Sequence, residues 1–313
     1  MNTPDLKKIA LQSRSMREAG IALLIASGVL AFFMLVSPPA KQAPTVTITT
    51  PAAPDAFANV AIEAKAAIVY DLATGQVLYA KNAEAQLPLA SLTKLLTVYA
   101  AVTELSPQTP ITIPEEATTV DEPRAFNTGQ IFTLSDLARL TLTGSLNDGA
   151  VAIATAVADQ ENKTQSQMLA GAAAALNLAQ TYALNGSGLD VNTTLSGGYG
   201  SADDLAHLAG ALVEKAPTIA EATTQSTAQA TSEGGTSFTI KNTDPITSTI
   251  PGLLLSKTGY TDLAGGNLAL VFNVGIQHPI AIVVLGSSVT ARFTDGAALV
   301  DATLAHFAGV ASL

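Results

Sequence analysis

The 313-residue chain contains no cysteine and only three histidines. The first absence excludes a disulfide framework and any thiolate metal site, and the second leaves zinc chemistry without ligands. No metal and no cofactor is expected. Basic residues are also scarce, with 15 Lys and Arg against 25 Asp and Glu and a formal charge of -10. Neutralising phosphates needs clustered Lys and Arg, so nucleic acid is excluded as a partner. The histidines do not suit a Ser-His-Asp hydrolase. His207 falls within a predicted helix, His278 precedes Pro279 in a predicted turn, and His306 lies near the end of the chain. No G-x-S-x-G elbow accompanies them.

What charge there is sits unevenly. Before residue 19 stand Lys7, Lys8, Arg14 and Arg17 with Asp5 and Glu18, which leaves 11 basic and 23 acidic residues, or -12, for the remainder. Next, "AGIALLIASGVLAFFMLV", residues 19–36, runs 18 residues without a charge. As a helix it spans about 27 Å, close to the apolar thickness of a bilayer. A cleaved signal peptide shares the basic flank and the apolar run. Here, however, the run passes into "SPPAKQAP", where prolines occupy the positions that a small-x-small cleavage motif needs. The expectation is a cytoplasmic basic tail (residues 1–18), an uncleaved single-pass anchor in the cytoplasmic membrane (19–36) and export of everything that follows. Residues 37–58, rich in Pro, Thr and Ala, read as an extended tether to a globular domain over 59–313.

Within that domain, "KAAIVYDLATGQVLYAKN" has two apolar runs around a Gly75 turn, which predicts a β-hairpin. Leu92, Leu95, Leu96, Tyr99 and Val102 then fall at helical spacing. Alanine- and leucine-rich helices are predicted at "TLSDLARLTL", "DGAVAIATAVADQ", "SQMLAGAAAALNLA" and "SADDLAHLAGALVEKA". Near the end, "NLALVFNVG" and "IAIVVLGSS" flank "IQHP" as a second hairpin, and an amphipathic helix closes the chain. Strands from both ends should therefore build one α/β lobe, with an all-helical lobe inserted between them. The stretch Pro217–Ser237 reads either as an exposed hairpin turned at Gly234 and Gly235 or as a loop.

Three short motifs occur once each and in order: S-x-x-K at Ser91–Lys94, S-x-N at Ser145–Asn147, and K-T-G at Lys257–Gly259. Singly, each has an ordinary explanation. Ser91 could cap a helix, Ser145 could cap the next one, and K-T-G could be a strand edge. As a set they match class A β-lactamases and penicillin-binding proteins. With "NGSGLD", "YGSADDLAHLA" and "SKTGYTDLAGGNL", the chain resembles, over roughly residues 61–307, the serine-type D-alanyl-D-alanine carboxypeptidases of the S11 peptidase family, the low-molecular-mass penicillin-binding proteins. That resemblance implies a β-lactamase/D,D-peptidase-like fold, in which an antiparallel sheet is flanked by helices and joined to an all-helical lobe. It also implies D-Ala-D-Ala stem peptides of peptidoglycan as substrate and β-lactam antibiotics as inhibitors.

A serine hydroxyl needs a base within hydrogen-bond reach, and Lys94, three residues on, shares its helix face. Lysine acts as a base only when neutral. Burial, the like charge of Lys257 and the positive helix end are the expected causes of a lowered pKa. Ser91 is thus the expected nucleophile, Lys94 its base and Ser145 the proton relay. The resemblance assigns the oxyanion to the backbone N–H groups of Ser91 and Tyr260. Asn147 can bond the substrate amide, and Lys257 and Thr258 can attract the terminal carboxylate. Arg292 resembles the family's carboxylate-binding arginine, its alternative being a surface salt bridge.

A β-lactamase shares the acylation machinery and adds a glutamate in an E-x-x-L-N signature. Glu161, Glu214, Glu221 and Glu233 are not followed by Leu-Asn at that offset, so slow deacylation of penicillin is expected. D,D-endopeptidase and transpeptidase activities stay open, as does a non-enzymatic, membrane-tethered wall-binding module. The leucine at the centre of "SLN", where many relatives carry glycine or aspartate, bears on the rate.

Overall fold

The computed structural model describes residues 3–35 and 55–309, which belong to two separate units. The first is a single helix, α1 (Thr3–Leu35), unbroken across the boundary between basic tail and apolar run. Its segment Leu11–Met34 is 24 residues long, about 36 Å at 1.5 Å per residue, and long enough to cross a bilayer. Leu23, Leu24, Phe32 and Phe33 are all exposed on it, which makes α1 a candidate membrane anchor. The expected tether lies outside the described residues as far as residue 54. Within its last residues, Phe57 is buried against Tyr79 and His306.

The second unit opens with the hairpin β1 (Ala66–Asp71) and β2 (Gln76–Lys81). After the short β3 (Leu87–Pro88), a 3-10 turn over Ala90–Leu92 leads into α2 (Thr93–Glu104). The pair β4 (Pro110–Thr112) and β5 (Ile131–Thr133) precedes α3 (Leu134–Gly144), whose first turn is capped by Thr133 Oγ1 accepting from Asp136 N–H at 3.1 Å. Then come α4 (Asn147–Glu161) and α5 (Gln165–Ala175), the latter opened by a Thr164–Gln167 capping box. Strands β6 (Tyr182–Ala183) and β7 (Gly198–Gly200) join β3 in a small sheet. Helix α6 (Ala202–Lys215) starts at the cap Ser201.

Where the sequence left hairpin or loop open, the chain forms a six-residue helix, α7 (Pro217–Ala222), and then the hairpin β8 (Thr227–Thr231) and β9 (Ser237–Lys241). Proline in the first turn suits a helix start, and burial of Ile219, Ala220 and Ala222 supplies stability that so short a helix lacks alone. Strands β10 (Leu253–Thr261), β11 (Gly265–Asn273) and β12 (Pro279–Ser287) and helix α8 (Ala291–Ala308) complete the unit.

The main sheet has the order β10-β11-β12-β1-β2, antiparallel throughout, so strands from both ends of the domain do share one sheet. Side chains alternate across it. Ile68, Val271 and Val283 pack with Leu95 and Leu205 of the helical lobe, whereas Val69, Leu270 and Ile282 pack with Leu299 of α8. Covered on both faces, the central strands read as nearly continuous apolar runs. The insertion between β2 and β10 is mainly helical rather than all-helical, because the short sheets β3-β7-β6, β4-β5 and β8-β9 lie within it, and β10, at the edge of the main sheet, runs along its boundary.

Candidate active site

Ser91 sits in the 3-10 turn that opens α2, and its local sequence explains the shape. Pro88 disfavours helix before it, and Ala90 takes φ +48°, a left-handed conformation that costs an L-residue roughly 1–2 kcal/mol. The surroundings hold it there. A Cβ on Gly188 would stand 2.0 Å from the Ala90 carbonyl oxygen, so only glycine allows this approach. From the sheet, Asn267 Nδ2 donates to the carbonyls of Pro88 and Leu89, each at 3.0 Å, while its Oδ1 accepts from Gly286 N–H at 2.8 Å. Ser91 caps nothing, since no side-chain cap bond is made at the start of the turn or of α2. Its hydroxyl instead accepts from Lys94 Nζ at 2.7 Å.

Lys94 is fully buried. Its Nζ also donates to Asn147 Oδ1 at 2.7 Å and to the Ser187 carbonyl at 2.8 Å, which uses all three ammonium donors. Burial brings its pKa down to about 7, against the opposing pull of the Asp148 carboxylate. Of the three causes expected for this shift, burial is the largest. Burial, and then the charges of Lys94 and Arg292, also push Lys257 well below its ordinary value. Two ammonium groups in one buried site titrate as a coupled pair, and the one that loses its proton first cannot repel the other.

Ser145 terminates α3 in a left-handed conformation, φ +57°. It does not cap α4, whose flanking residue is Leu146. Its hydroxyl accepts from Lys257 Nζ at 2.8 Å, and Lys257 donates also to the Thr258 carbonyl at 2.7 Å. Asn147 is anchored by its own N–H to the Pro123 carbonyl (2.7 Å) and by Nδ2 to that of Asp121 (2.9 Å). Hence Ser91, Lys94 and Asn147 form one hydrogen-bonded group, and Ser145 with Lys257 forms a second.

Strand β10 closes the two groups together. A Cβ on Gly259 would lie 3.3 Å from Ser91 N and 3.0 Å from the Leu89 carbonyl oxygen, so the K-T-G strand runs directly against the serine turn. Thr258 Oγ1 lies 2.7 Å from Thr243 Oγ1. The Tyr260 ring is half exposed, with its hydroxyl donating to Asp262 Oδ1 at 3.2 Å. Arg292, on the first turn of α8, donates from Nη1 to the Gly259 carbonyl at 2.6 Å. No acidic side chain lies within ion-pair distance of it among the described residues, so the surface salt bridge is not formed.

Three residues that support the candidate site escaped the sequence reading. Asp148 is fully buried, accepts from Ala125, Phe126 and Gly149 N–H groups, and burial raises its pKa. Its position directly after S-x-N was the available signal. Ser187 accepts from Lys94 through its carbonyl, and Asn267 braces the turn that carries Ser91. Both lie in segments that carry the resemblance, "NGSGLD" and "SKTGYTDLAGGNL".

Comparison with known proteins gives concordant matches. The family model for D-alanyl-D-alanine carboxypeptidases matches residues 48–289. The D-alanyl-D-alanine carboxypeptidase DacF of Bacillus subtilis (strain 168) is 28% identical over 270 residues, covering 82% of this chain and 68% of the relative. The corresponding DacD of Salmonella typhimurium is 30% identical over 266 residues, covering 80% of this chain and 65% of the relative. This chain therefore spans about two thirds of the length of these curated relatives. Among solved structures, penicillin-binding protein D2 of Listeria monocytogenes in its ampicillin-bound form superposes with a TM-score of 0.66 at 26% identity, over 78% of this chain and 98% of that one.

Proposed function

The chain belongs to the D-alanyl-D-alanine carboxypeptidase family of serine peptidases, and from that premise we propose that it removes terminal D-alanine from peptidoglycan stem peptides through an acyl-enzyme on Ser91. The observation that carries this reading is the 2.7 Å contact between Ser91 Oγ and a fully buried Lys94 whose pKa is about 7.

Neutral Lys94 takes the Ser91 proton as Oγ attacks the carbonyl between the two D-alanines. The developing oxyanion is met by the backbone N–H groups of Ser91 and Tyr260. Asn147 orients the substrate amide. The terminal carboxylate lies toward Lys257, Thr258 and Arg292, and its charge favours the protonated form of Lys257. Through mutual repulsion a protonated Lys257 holds Lys94 neutral, so substrate binding itself readies the base. The proton passes by way of Ser145 to the leaving amine, the C–N bond breaks, and water then hydrolyses the ester. A β-lactam presents a strained amide to the same serine, and penicillin sensitivity follows. In the cell, α1 anchors the protein in the cytoplasmic membrane with its basic end inside, and the domain from residue 59 onward works on the outer side.

Intact-mass spectrometry after incubation with benzylpenicillin tests this directly. A persistent adduct on wild type, absent from Ser91→Ala, is the expected result. Rapid loss of the adduct would indicate a β-lactamase, and folded protein that never forms one would indicate a wall-binding module.

A further inference from the structure

Asp148 is a buried charge beside the site to which the acylation steps give no work. It follows Asn147 in the first turn of α4, is fully buried, and has no cation within ion-pair distance among the described residues. A carboxylate in such a place is unfavourable unless hydrogen bonds and a nearby opposite charge compensate it. Its hydrogen bonds are three. Oδ2 accepts from the Ala125 and Phe126 N–H groups, both at 2.7 Å, and Oδ1 accepts from Gly149 N–H at 2.8 Å.

Two of those bonds belong to a clasp. The loop at residues 121–126 donates them to Asp148, while Asn147 donates back to the loop, from its N–H to the Pro123 carbonyl at 2.7 Å and from Nδ2 to that of Asp121 at 2.9 Å. With Nδ2 held by the loop, Asn147 Oδ1 is the end that meets Lys94 Nζ, at 2.7 Å. A clasp alone needs no charge, because an amide oxygen in place of Oδ2 could accept the same two loop bonds.

The charge faces Lys94, the fully buried cation on α2. The other charged groups on the elements packed against this end of α4 are spent or solvated. Asp136 and Arg139 of α3 pair with each other at 3.0 Å. Glu115 and Glu116, and Asp121, Glu122 and Arg124 of the loop, are exposed. Lys257 reaches the pocket from β10, through Ser145. Burial lowers the pKa of Lys94 and the Asp148 carboxylate raises it, with a result of about 7.

We infer that Asp148 is a positioning residue of the acylation step, whose buried carboxylate clasps the 121–126 loop so that Asn147 is aimed at Lys94, and which serves as the counter-charge against which Lys94 holds its proton. The lysine is thereby kept basic enough to take the proton of Ser91, although it is fully buried.

The test follows acylation of the full chain in detergent by benzylpenicillin from about pH 5 to 9, and so rests on the D,D-peptidase reading. In Asp148→Asn the half-maximum, near 7 in wild type, is expected to fall by about one pH unit or more. Its maximal rate should also drop, because the neutral lysine is then a weaker base. Asp148→Glu keeps the charge and displaces the carboxylate from the loop, so it should slow the reaction and leave the half-maximum near 7. If Asp148→Asn alone does not fold, the double variant Asp148→Asn/Lys94→Met, which leaves neither charge buried, is expected to fold. The inference is overturned if Asp148→Asn keeps the wild-type half-maximum, if Asp148→Glu moves it equally far, or if Asp148→Asn and the double variant both fail to fold. Wild type that forms no penicillin adduct would overturn the underlying peptidase reading instead.

Discussion

Lys94 can accept the Ser91 proton only when neutral, and with its pKa at about 7 the neutral fraction grows as pH rises through that value. Acylation of the free enzyme by benzylpenicillin, followed by stopped-flow or quenched mass spectrometry, should therefore climb with pH to a half-maximum near 7. A rate that is flat from about pH 5 to 9 would remove Lys94 as the base. The same burial costs stability. An unfolded lysine keeps its proton up to about 10.4, so the penalty is full below about pH 7 and is relieved as pH rises from there. At this scale the side chains Ser91, Lys94, Ser145, Asn147 and Lys257 could be named from residue type and spacing. Asp148 is marked only by its place directly after S-x-N, because an aspartate in the first turn of a helix is ordinarily a solvent-facing dipole partner. Ser187 could not be named, because its contribution is a main-chain carbonyl that no side-chain pattern reports.

Helices and strands show a different division. The hairpins around Gly75 and "IQHP" and the helices from α2 to α6 were legible from periodicity and capping. Helix α7 was not, because its six residues are too few for a periodic signal and are held by tertiary burial. The turn carrying Ser91 is the sharper case. The sequence suggests a helix cap there, whereas the structure has a 3-10 turn with Ala90 in a left-handed conformation, stabilised by segments about 100 and 180 residues away in the chain. Gly188→Ala tests that support, since its new methyl would meet the Ala90 carbonyl oxygen in a position with φ +75°. We expect a loss of about 2–4 kcal/mol in urea unfolding and at least a tenfold slower penicillin acylation. Full stability with unchanged acylation would mean that the turn holds its shape without this contact.

For the whole molecule, the division into two units predicts that the chain from Ala53 onward folds and is acylated by benzylpenicillin like the full-length protein. The fragment should lose co-sedimentation with lipid vesicles, which full-length protein retains. A fragment that is unfolded by circular dichroism, or one that still pellets with vesicles, would contradict this. The architecture also decides how the site comes together. Ser91 and Lys94 enter after the first hairpin, Ser145 and Asn147 lie in the helical insertion, and Lys257 lies on β10. Only closure of β10-β11-β12-β1-β2 from both ends of the domain brings the K-T-G strand against the serine turn.

Composition, periodicity and the three motifs were enough to indicate the class of chemistry, the hairpins around Gly75 and "IQHP" with the main helices between them, and the apolar N-terminal helix, because each is written in local residue patterns. Tertiary structure alone decided the environment of those residues. The burial of Lys94 and its 2.7 Å contact with Ser91 arise from segments distant in the chain. Desolvation and distance belong to that packing, and local spacing does not encode them.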